Sequence, residues 1–403
     1  MRELLFLMPW APIGRDRERL GLDTLAAAGF AVTAVDLSPL LAPEHAGGPA
    51  GDGTVRVESY EQFFELLSGK PGAVCCDYVL GRSPLGLKHA RLFRTLAKAG
   101  TPYFSVLAAE LPFSGPGRGG FWARAAARLC AARGLASYAV DLAARRPLAG
   151  LRRRGFFARP ARIYALSRES AAGFAALCGA GAGAIRPVNS IDYGTFLLAR
   201  QAGLKVQDGP SCVLIDEGIA DSRDFAYAGL KGLTAAEYYP PVLAYLEKIE
   251  RELGLKVVVA AHPKADPAGL GQAYGGREVV SGRTLETVAG ASLVLAHWST
   301  AVNFAVLCGK PLVLLKTRAM RGKGLARLAD AMGAALGARV EEAEEALAAP
   351  LAYKPADLPR TGYASYLGRY IKSPEAPEET VYETIAADLA ADWPAKGREV
   401  QGV

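Results

Sequence analysis

Three short polar clusters follow apolar runs in the second half of the chain, and each carries groups able to handle a proton or a phosphate. Asp216-Glu217-Gly218 comes directly after SCVLI (211–215). Two acids at the end of an apolar run, with a glycine to free the turn, present a carboxylate suited to act as general base toward a hydroxyl. The plain alternative is a solvated acidic turn that caps a helix. His262-Pro263 ends the run KVVVAA, in a chain that holds only four histidines. The proline stops the strand, and an imidazole there can donate to a phosphate oxygen or steady a leaving phosphate, with Lys264 adding positive charge. The alternative is a core histidine satisfied by backbone. His297-Trp298-Ser299-Thr300 follows SLVLA (292–296). The stretch AVNFAVLCG after it reads as a helix ending at Gly309. Ser299 or Thr300 is then its N-cap, and free N–H groups gather with hydroxyls into an anion site; the alternative is capping and nothing more.

Weaker candidates stand around these. Gly282-Arg283-Thr284 precedes a helix, where its backbone can flank a nucleotide base or ribose or form an ordinary turn. Lys316 and Arg318 follow PLVLL (311–315) and can reach a phosphate or a sugar carboxylate, unless they are simply solvated. In the first half, Gly14 and Arg15 follow the first strand on the side expected to face an acceptor. Asn189, Asp192 and Tyr193 lie at a domain junction, as substrate contacts or as hinge contacts.

The elements that position these groups alternate strand and helix, which predicts parallel sheets covered on both faces. ELLFLMP (3–9) and AVTAVD (31–36) read as buried strands around a helix at 15–28 that ends before Gly29. YEQFFELL, AVCCDYVL, KHARLFRTLAKAG and PYFSVL continue the rhythm as helix, strand, helix, strand. A Gly-, Pro- and Arg-rich stretch at 114–160 interrupts it before a strand at 162–166 and a short helix near 168–178. The second half restarts at SCVLI, with a long helix around 235–253. Thr234 and Glu237 form a capping box there, but Pro240 and Pro241 move the expected start to near Tyr239. Strands at 255–261, 292–296 and 311–315 follow, with helices at 284–289, 300–308, 340–348 and 378–391. The expected domains are residues 1–203 and 204–375, with a C-terminal helix and tail, 376–403, able to pack back on the first.

The three clusters carry a family resemblance. The order Asp216-Glu217-Gly218, His262-Pro263, Ser299-Thr300 resembles the D/E-D/E-G, HP and Ser/Thr motifs of bacterial sialyltransferases and of related transferases that use CMP-linked Kdo or other nonulosonates. The matching region spans about 211–316. The resemblance implies an α/β GT-B fold: two Rossmann-like domains whose parallel sheets face across a cleft. It implies an inverting transferase that moves a sialic acid-like or Kdo-like sugar from CMP to a cell-surface glycan. Asp216 would be the base, with Glu217 second to it. His262 would support the departing CMP phosphate and Ser299 and Thr300 would bind it. Glu217, Gly218, Pro263, Lys264, Gly282 and Thr284 would complete the nucleotide site. No cofactor or metal is implied, in line with the absence of a DxD motif. The competing expectations are a GT-B transferase using a UDP- or GDP-sugar and a non-catalytic glycan-binding protein of the same fold.

Composition bounds the rest. Half of the residues are apolar, 51%, enough for sizeable cores in two domains. No apolar run reaches a membrane span, and the start of the chain reads as a strand, not a signal peptide. Six scattered cysteines without a CxxC signal neither zinc nor a disulfide framework. We read reduced thiols in a cytoplasmic protein. Between Gly115 and Ala165 eleven arginines face one acid, Asp141, in a chain whose total charge is +7. One surface is therefore basic. Arg145, Arg146, Arg152, Arg153 and Arg154 interleave with Leu151, Phe156 and Phe157, and the segment 118–162 offers peripheral contact with an anionic membrane at its inner face. The alternative is a solvated loop in an arginine-rich composition. Stacking platforms for nucleic acid are missing.

Overall fold

The computed structural model describes residues 2–10, 17, 19–41, 43, 53–78, 87–112, 147–148, 150–152, 154–206, 210–220, 232–262 and 265–393. Within them lie two sheets whose strands all pair in parallel. The first holds β1 (Arg2–Met8), β2 (Phe30–Asp36), β3 (Thr54–Arg56), β4 (Val74–Asp77), β5 (Tyr103–Leu107), β6 (Pro160–Ala165) and β7 (Ile185–Pro187), in the order β3-β2-β1-β4-β5-β6-β7. The second holds β8 (Ser211–Ile215), β9 (Lys256–Ala260), β10 (Glu278–Val280), β11 (Leu293–Ala296), β12 (Leu312–Lys316) and β13 (Arg339–Glu342), in the order β10-β9-β8-β11-β12-β13. Each order grows outward from its first strand and then reverses beside it, as in doubly wound nucleotide-binding sheets. The chain folds as two compact bodies. One takes the described residues of 1–108, 135–191 and 373–403; the other takes those of 109–134 and 192–372.

Burial on both faces explains the continuous apolar runs. Successive residues of β1 point to opposite sides. Leu4, Phe6 and Met8 enter one core, while Leu5 and Leu7 enter another. β8 splits likewise, Cys212 and Leu214 to one face and Val213 and Ile215 to the other. Each such side chain contributes about 1.5 to 3 kcal/mol on burial.

Two elements depart from expectation. Residues 340–348 are not one helix: Arg339–Glu342 is the edge strand β13, paired with β12, and only Ala343–Ala346 is helical. Glu- and Ala-rich local preference yields there to a vacant sheet edge. The long helix begins at Ala235, not near Tyr239, and carries Pro240 and Pro241 inside it. Its capping box is complete: Thr234 Oγ1 accepts from Glu237 N (3.3 Å) and Glu237 Oε2 accepts from Thr234 N (2.8 Å). That cap and the burial of Tyr238, Val242 and Tyr245 offset the hydrogen bonds the two prolines cannot donate.

The chain returns to the first body at its end. The helix Val381–Ala391 lays Val381, Tyr382, Ile385 and Leu389 against Leu4, Leu22, Leu25 and Phe30. The close approach needs glycine at position 21. Its φ is 60°, and a Cβ there would sit 2.0 Å from the Tyr382 ring. Asn189, fully buried, pins the return: its Nδ2 donates to the carbonyls of Pro377 (2.7 Å) and Glu379 (3.0 Å), and its Oδ1 accepts from Ser373 N (3.1 Å). Asn189 is thus a tether within the first body. Asn189→Ala strands three backbone groups, that of Ser373 in a buried residue, and is expected to cost about 2 kcal/mol, a fall of about 4 to 8 °C in the melting temperature. Thermal denaturation checks it, and an unchanged melting point would show the return to be held by the helix alone.

Candidate functional site

β8 is the first strand of the second sheet, and its two neighbours are β9 and β11. The strand order reverses between β8 and β11, and ligands in such sheets lie beyond the carboxyl ends at that reversal. The segments after β9, β8 and β11 carry His262, Asp216-Glu217-Gly218 and His297-Trp298-Ser299-Thr300, so all three clusters lie on adjacent strand ends.

Hydrogen bonds tie them together. Asp216, 3% exposed, is anchored by its N–H to the Ala260 carbonyl (2.9 Å). Its Oδ2 accepts from Gly218 N (3.2 Å) and His262 N (3.4 Å), and its Oδ1 accepts from the Tyr274 hydroxyl (2.9 Å). Gly218 adopts φ 60°, the left-handed turn that folds its N–H back to the carboxylate. Burial pushes the Asp216 carboxyl above its ordinary range, against the Tyr274 and backbone hydrogen bonds that favour the anion. His262 is half-buried and its Cβ and Cγ lie 3.9 Å from where a Cβ on Gly218 would stand.

Glu217 reaches across the reversal point. Its Oε1 accepts from the backbone N–H groups of His297 (2.8 Å), Trp298 (2.8 Å) and Ser299 (3.0 Å). Burial raises its carboxyl to about 7, with the negative charge of Asp216 adding to the rise, although the three N–H groups oppose it. This corrects the expected anion site. The N–H groups of residues 297–299 are already taken by a carboxyl oxygen, and it belongs to a side chain of the protein. The capping expectation is corrected with it. The helix spans Val302–Leu307, with Ala301 at its N-cap and no side-chain cap. Ser299 Oγ accepts from Ala301 N (3.1 Å), and the Thr300 carbonyl accepts from Asn303 N (2.9 Å). The turn that Glu217 holds takes up the residues that would otherwise have begun the helix.

Two tyrosines missed as chemistry, Tyr274 and Tyr238, lie behind Asp216 and join it to His297. The Tyr274 hydroxyl is 3.1 Å from the Tyr238 hydroxyl, which is 3.0 Å from His297 Nε2. His297 Nδ1 donates to the Leu315 carbonyl at 2.6 Å. Tyr239 packs edge-on against both tyrosine rings. His297 is fully buried, and burial lowers its imidazole to about 4. It is neutral at neutral pH. A histidine at a strand end is visible in the sequence, but its hydroxyl partner comes from a helix 59 residues away.

The other candidates have different surroundings. Gly282 has φ 73° in an exposed turn, and Thr284 is the first residue of Thr284–Gly290, whose N-cap is Arg283. Lys316 pairs with Asp330 (2.6 Å), and Arg318 is exposed beside Glu342 (3.7 Å). Asp192 accepts from Asn303 Nδ2 (2.7 Å), and the Tyr193 ring lies under Lys372. Pro263, Lys264, Gly14 and Arg15 lie outside the described residues, as does most of the arginine-rich segment, including Arg145, Arg146 and Arg153. In its described part Arg154 and Arg159 are exposed, while the apolar residues are folded inward. Arg152 and Phe157 are buried, and Leu151 and Phe156 pack on the same core. These apolar residues are therefore already covered by protein, because helix Leu87–Ala99 offers them a dry face; Arg94 stacks on the Phe156 ring. Cys75, Cys76, Cys178 and Cys212 are buried free thiols. Among the described residues no helix is long and apolar enough to cross a membrane, and no group of three or more His, Cys, Asp or Glu is placed to hold a metal ion.

No protein-family profile matches the chain, and no curated protein matches it. Solved structures do. The calicheamicin glycosyltransferase CalG4 is similar over 98% of this chain and 100% of its own, with a TM-score of 0.51 and 14% identity. A variant of the wall teichoic acid polymerase TagF is similar over 97% of this chain and 88% of its own, with a TM-score of 0.51 and 10% identity. The UDP-GlcNAc 2-epimerase of Methanocaldococcus jannaschii covers 97% of this chain and 100% of its own at a TM-score of 0.46 and 9% identity. With two parallel sheets of the orders given above, the first two likenesses identify the fold as the two-domain α/β fold called GT-B.

Proposed function

We propose that this chain is an inverting glycosyltransferase that moves a nonulosonate from a CMP-sugar to a glycan acceptor. The observation that carries the reading is the hydrogen-bonded meeting of the acidic, histidine and Ser/Thr segments on the ends of β9, β8 and β11. CalG4 is named as a glycosyltransferase, which supports the class.

In the proposed reaction Asp216 takes the proton of the acceptor hydroxyl. The freed electron pair forms the new bond to the anomeric carbon as the bond to the CMP phosphate breaks on the opposite face. The leaving phosphate gains negative charge, which the His262 imidazole and the hydroxyls of Ser299 and Thr300 meet with hydrogen bonds. Glu217 acts by holding the 297–299 turn, not by touching the nucleotide. Lys264, Gly282 and Thr284 belong to the proposed nucleotide site on position along the strand ends. The mechanism calls on no metal ion.

The nucleotide tests the reading. At about 100 times its dissociation constant, CMP is expected to add about 2.7 kcal/mol, a rise of roughly 5 to 10 °C in the melting temperature. UDP and GDP are expected to add little. Stabilisation by UDP or GDP in place of CMP would turn the reading to a transferase of the other donor class. No stabilisation by any nucleotide would favour a glycan-binding role.

A further inference from the structure

The second body buries a chain of hydrogen bonds that the proposed reaction has not yet used. It runs from Asp216 Oδ1 to the Tyr274 hydroxyl (2.9 Å), the Tyr238 hydroxyl (3.1 Å) and His297 Nε2 (3.0 Å), and through the ring to Nδ1 and the Leu315 carbonyl (2.6 Å). Asp216 is 3% exposed, and the other three are fully buried.

The protons along this chain can be counted. A carbonyl oxygen only accepts, so His297 carries a proton on Nδ1. The ring is neutral because burial lowers it to about 4, and Nε2 is then an acceptor. Three contacts link Asp216, Tyr274, Tyr238 and Nε2, and the two tyrosines supply two protons. With Asp216 ionised, one contact sets lone pair against lone pair, an unmet polar contact in a dry interior. A third proton, on Asp216, removes the defect. Asp216 then donates to Tyr274, Tyr274 to Tyr238, and Tyr238 to Nε2.

We infer that Tyr274, Tyr238 and His297 are positioning residues for the base, a buried acceptor chain that draws a proton onto Asp216 and holds it there. The inference rests on Asp216 being the base of the proposed transfer. The acceptor O–H bond breaks, an O–H bond forms on Asp216, and the electron pair stays on the acceptor oxygen for its attack. The carboxyl O–H, turned toward Tyr274, completes the chain. It returns its proton to water once product has left. The other titratable groups facing the chain are Glu217 beside Asp216, His262 at the end of β9 and Tyr239 on the long helix.

Carbon NMR of aspartate-labelled protein tests this without substrate, with Asp216→Asn used to assign the Asp216 carboxyl signal. Tyr238→Phe deletes the frustrated contact, so the Asp216 titration midpoint is expected to fall by about one pH unit. Tyr274→Phe cuts the chain at the carboxyl. In that background Tyr238→Phe is expected to move the midpoint no further, because the chain is already cut. A midpoint unmoved or raised by Tyr238→Phe alone overturns the inference. Nitrogen NMR of the wild-type His297 ring decides independently of whether the variants fold. The proton on Nδ1 supports the chain, and the proton on Nε2 overturns it. If the midpoints shift as stated while no CMP-sugar is turned over, the chain stands and the transfer reading falls.

Discussion

Asp216→Asn is expected to lower kcat by about 10²- to 10⁴-fold while leaving the affinity for CMP within about twofold. The asparagine matches the carboxylate in shape but cannot take a proton. The loss therefore falls on the chemical step and not on nucleotide binding. The substitution is not expected to unfold the protein. Burial raises the Asp216 carboxyl above its ordinary value. A group raised in the folded state contributes stability that is full below its unfolded value and lost as pH rises through the folded one. Above the folded value the ionised Asp216 is thus a cost, and a neutral amide removes it. The same shift sets the pH dependence of the wild type. Activity falls as pH drops through the raised value, where the base becomes protonated. Initial rates across pH, with calorimetric titration of CMP into both forms, decide the matter. A variant that keeps a tenth or more of the wild-type rate removes Asp216 from the role of base.

The sheets were largely legible because burial on both faces leaves a physical trace in the residues themselves. A strand such as β1, whose Leu4 to Met8 are all fully buried, can only be an unbroken apolar run. The polar residues that end β8, β9 and β11 stood out against that background, and so did their grouping. The edge strand β13 left no such trace. Arg339, Val340 and Glu341 are only partly covered, and the Glu and Ala residues that follow favour helix. The prolines of the long helix misled for the opposite reason. A local penalty was overcome by tertiary burial of Tyr238 and Tyr245. In the site, residue types were readable but partners were not. Glu217 looked like a free acid because its three acceptor contacts are to backbone N–H groups 80 to 82 residues away. Nothing in the sequence singles out the tyrosines of the buried chain, because their hydroxyl partners lie 36 to 59 residues away.

Glu217→Ala is expected to produce the largest loss of stability, about 3 kcal/mol, or a fall of roughly 6 to 12 °C in melting temperature. One carboxylate oxygen satisfies three N–H groups of the turn after β11, and alanine leaves all three to whatever water can reach them. Glu217→Gln separates the hydrogen bonds from the charge, since its Oε1 can accept the same three. The sign of the charge effect follows from the carboxyl being raised to about 7 from its ordinary 4.5. Stability from this group is full below about pH 4.5. It declines between 4.5 and 7, where the unfolded chain releases the proton and the folded one retains it, by up to about 3 kcal/mol. Glutamine cannot ionise, so that decline is expected to vanish in the variant, which should gain on the wild type as pH rises from 5 to 8. Thermal denaturation of the three forms across that range checks both parts. Because the same turn carries Ser299 and Thr300, Glu217→Ala should also weaken CMP binding, whereas Glu217→Gln should not. An alanine variant as stable as the wild type would mean that the turn keeps its shape without its anion, and the N–H groups of residues 297–299 would then be open to a phosphate after all.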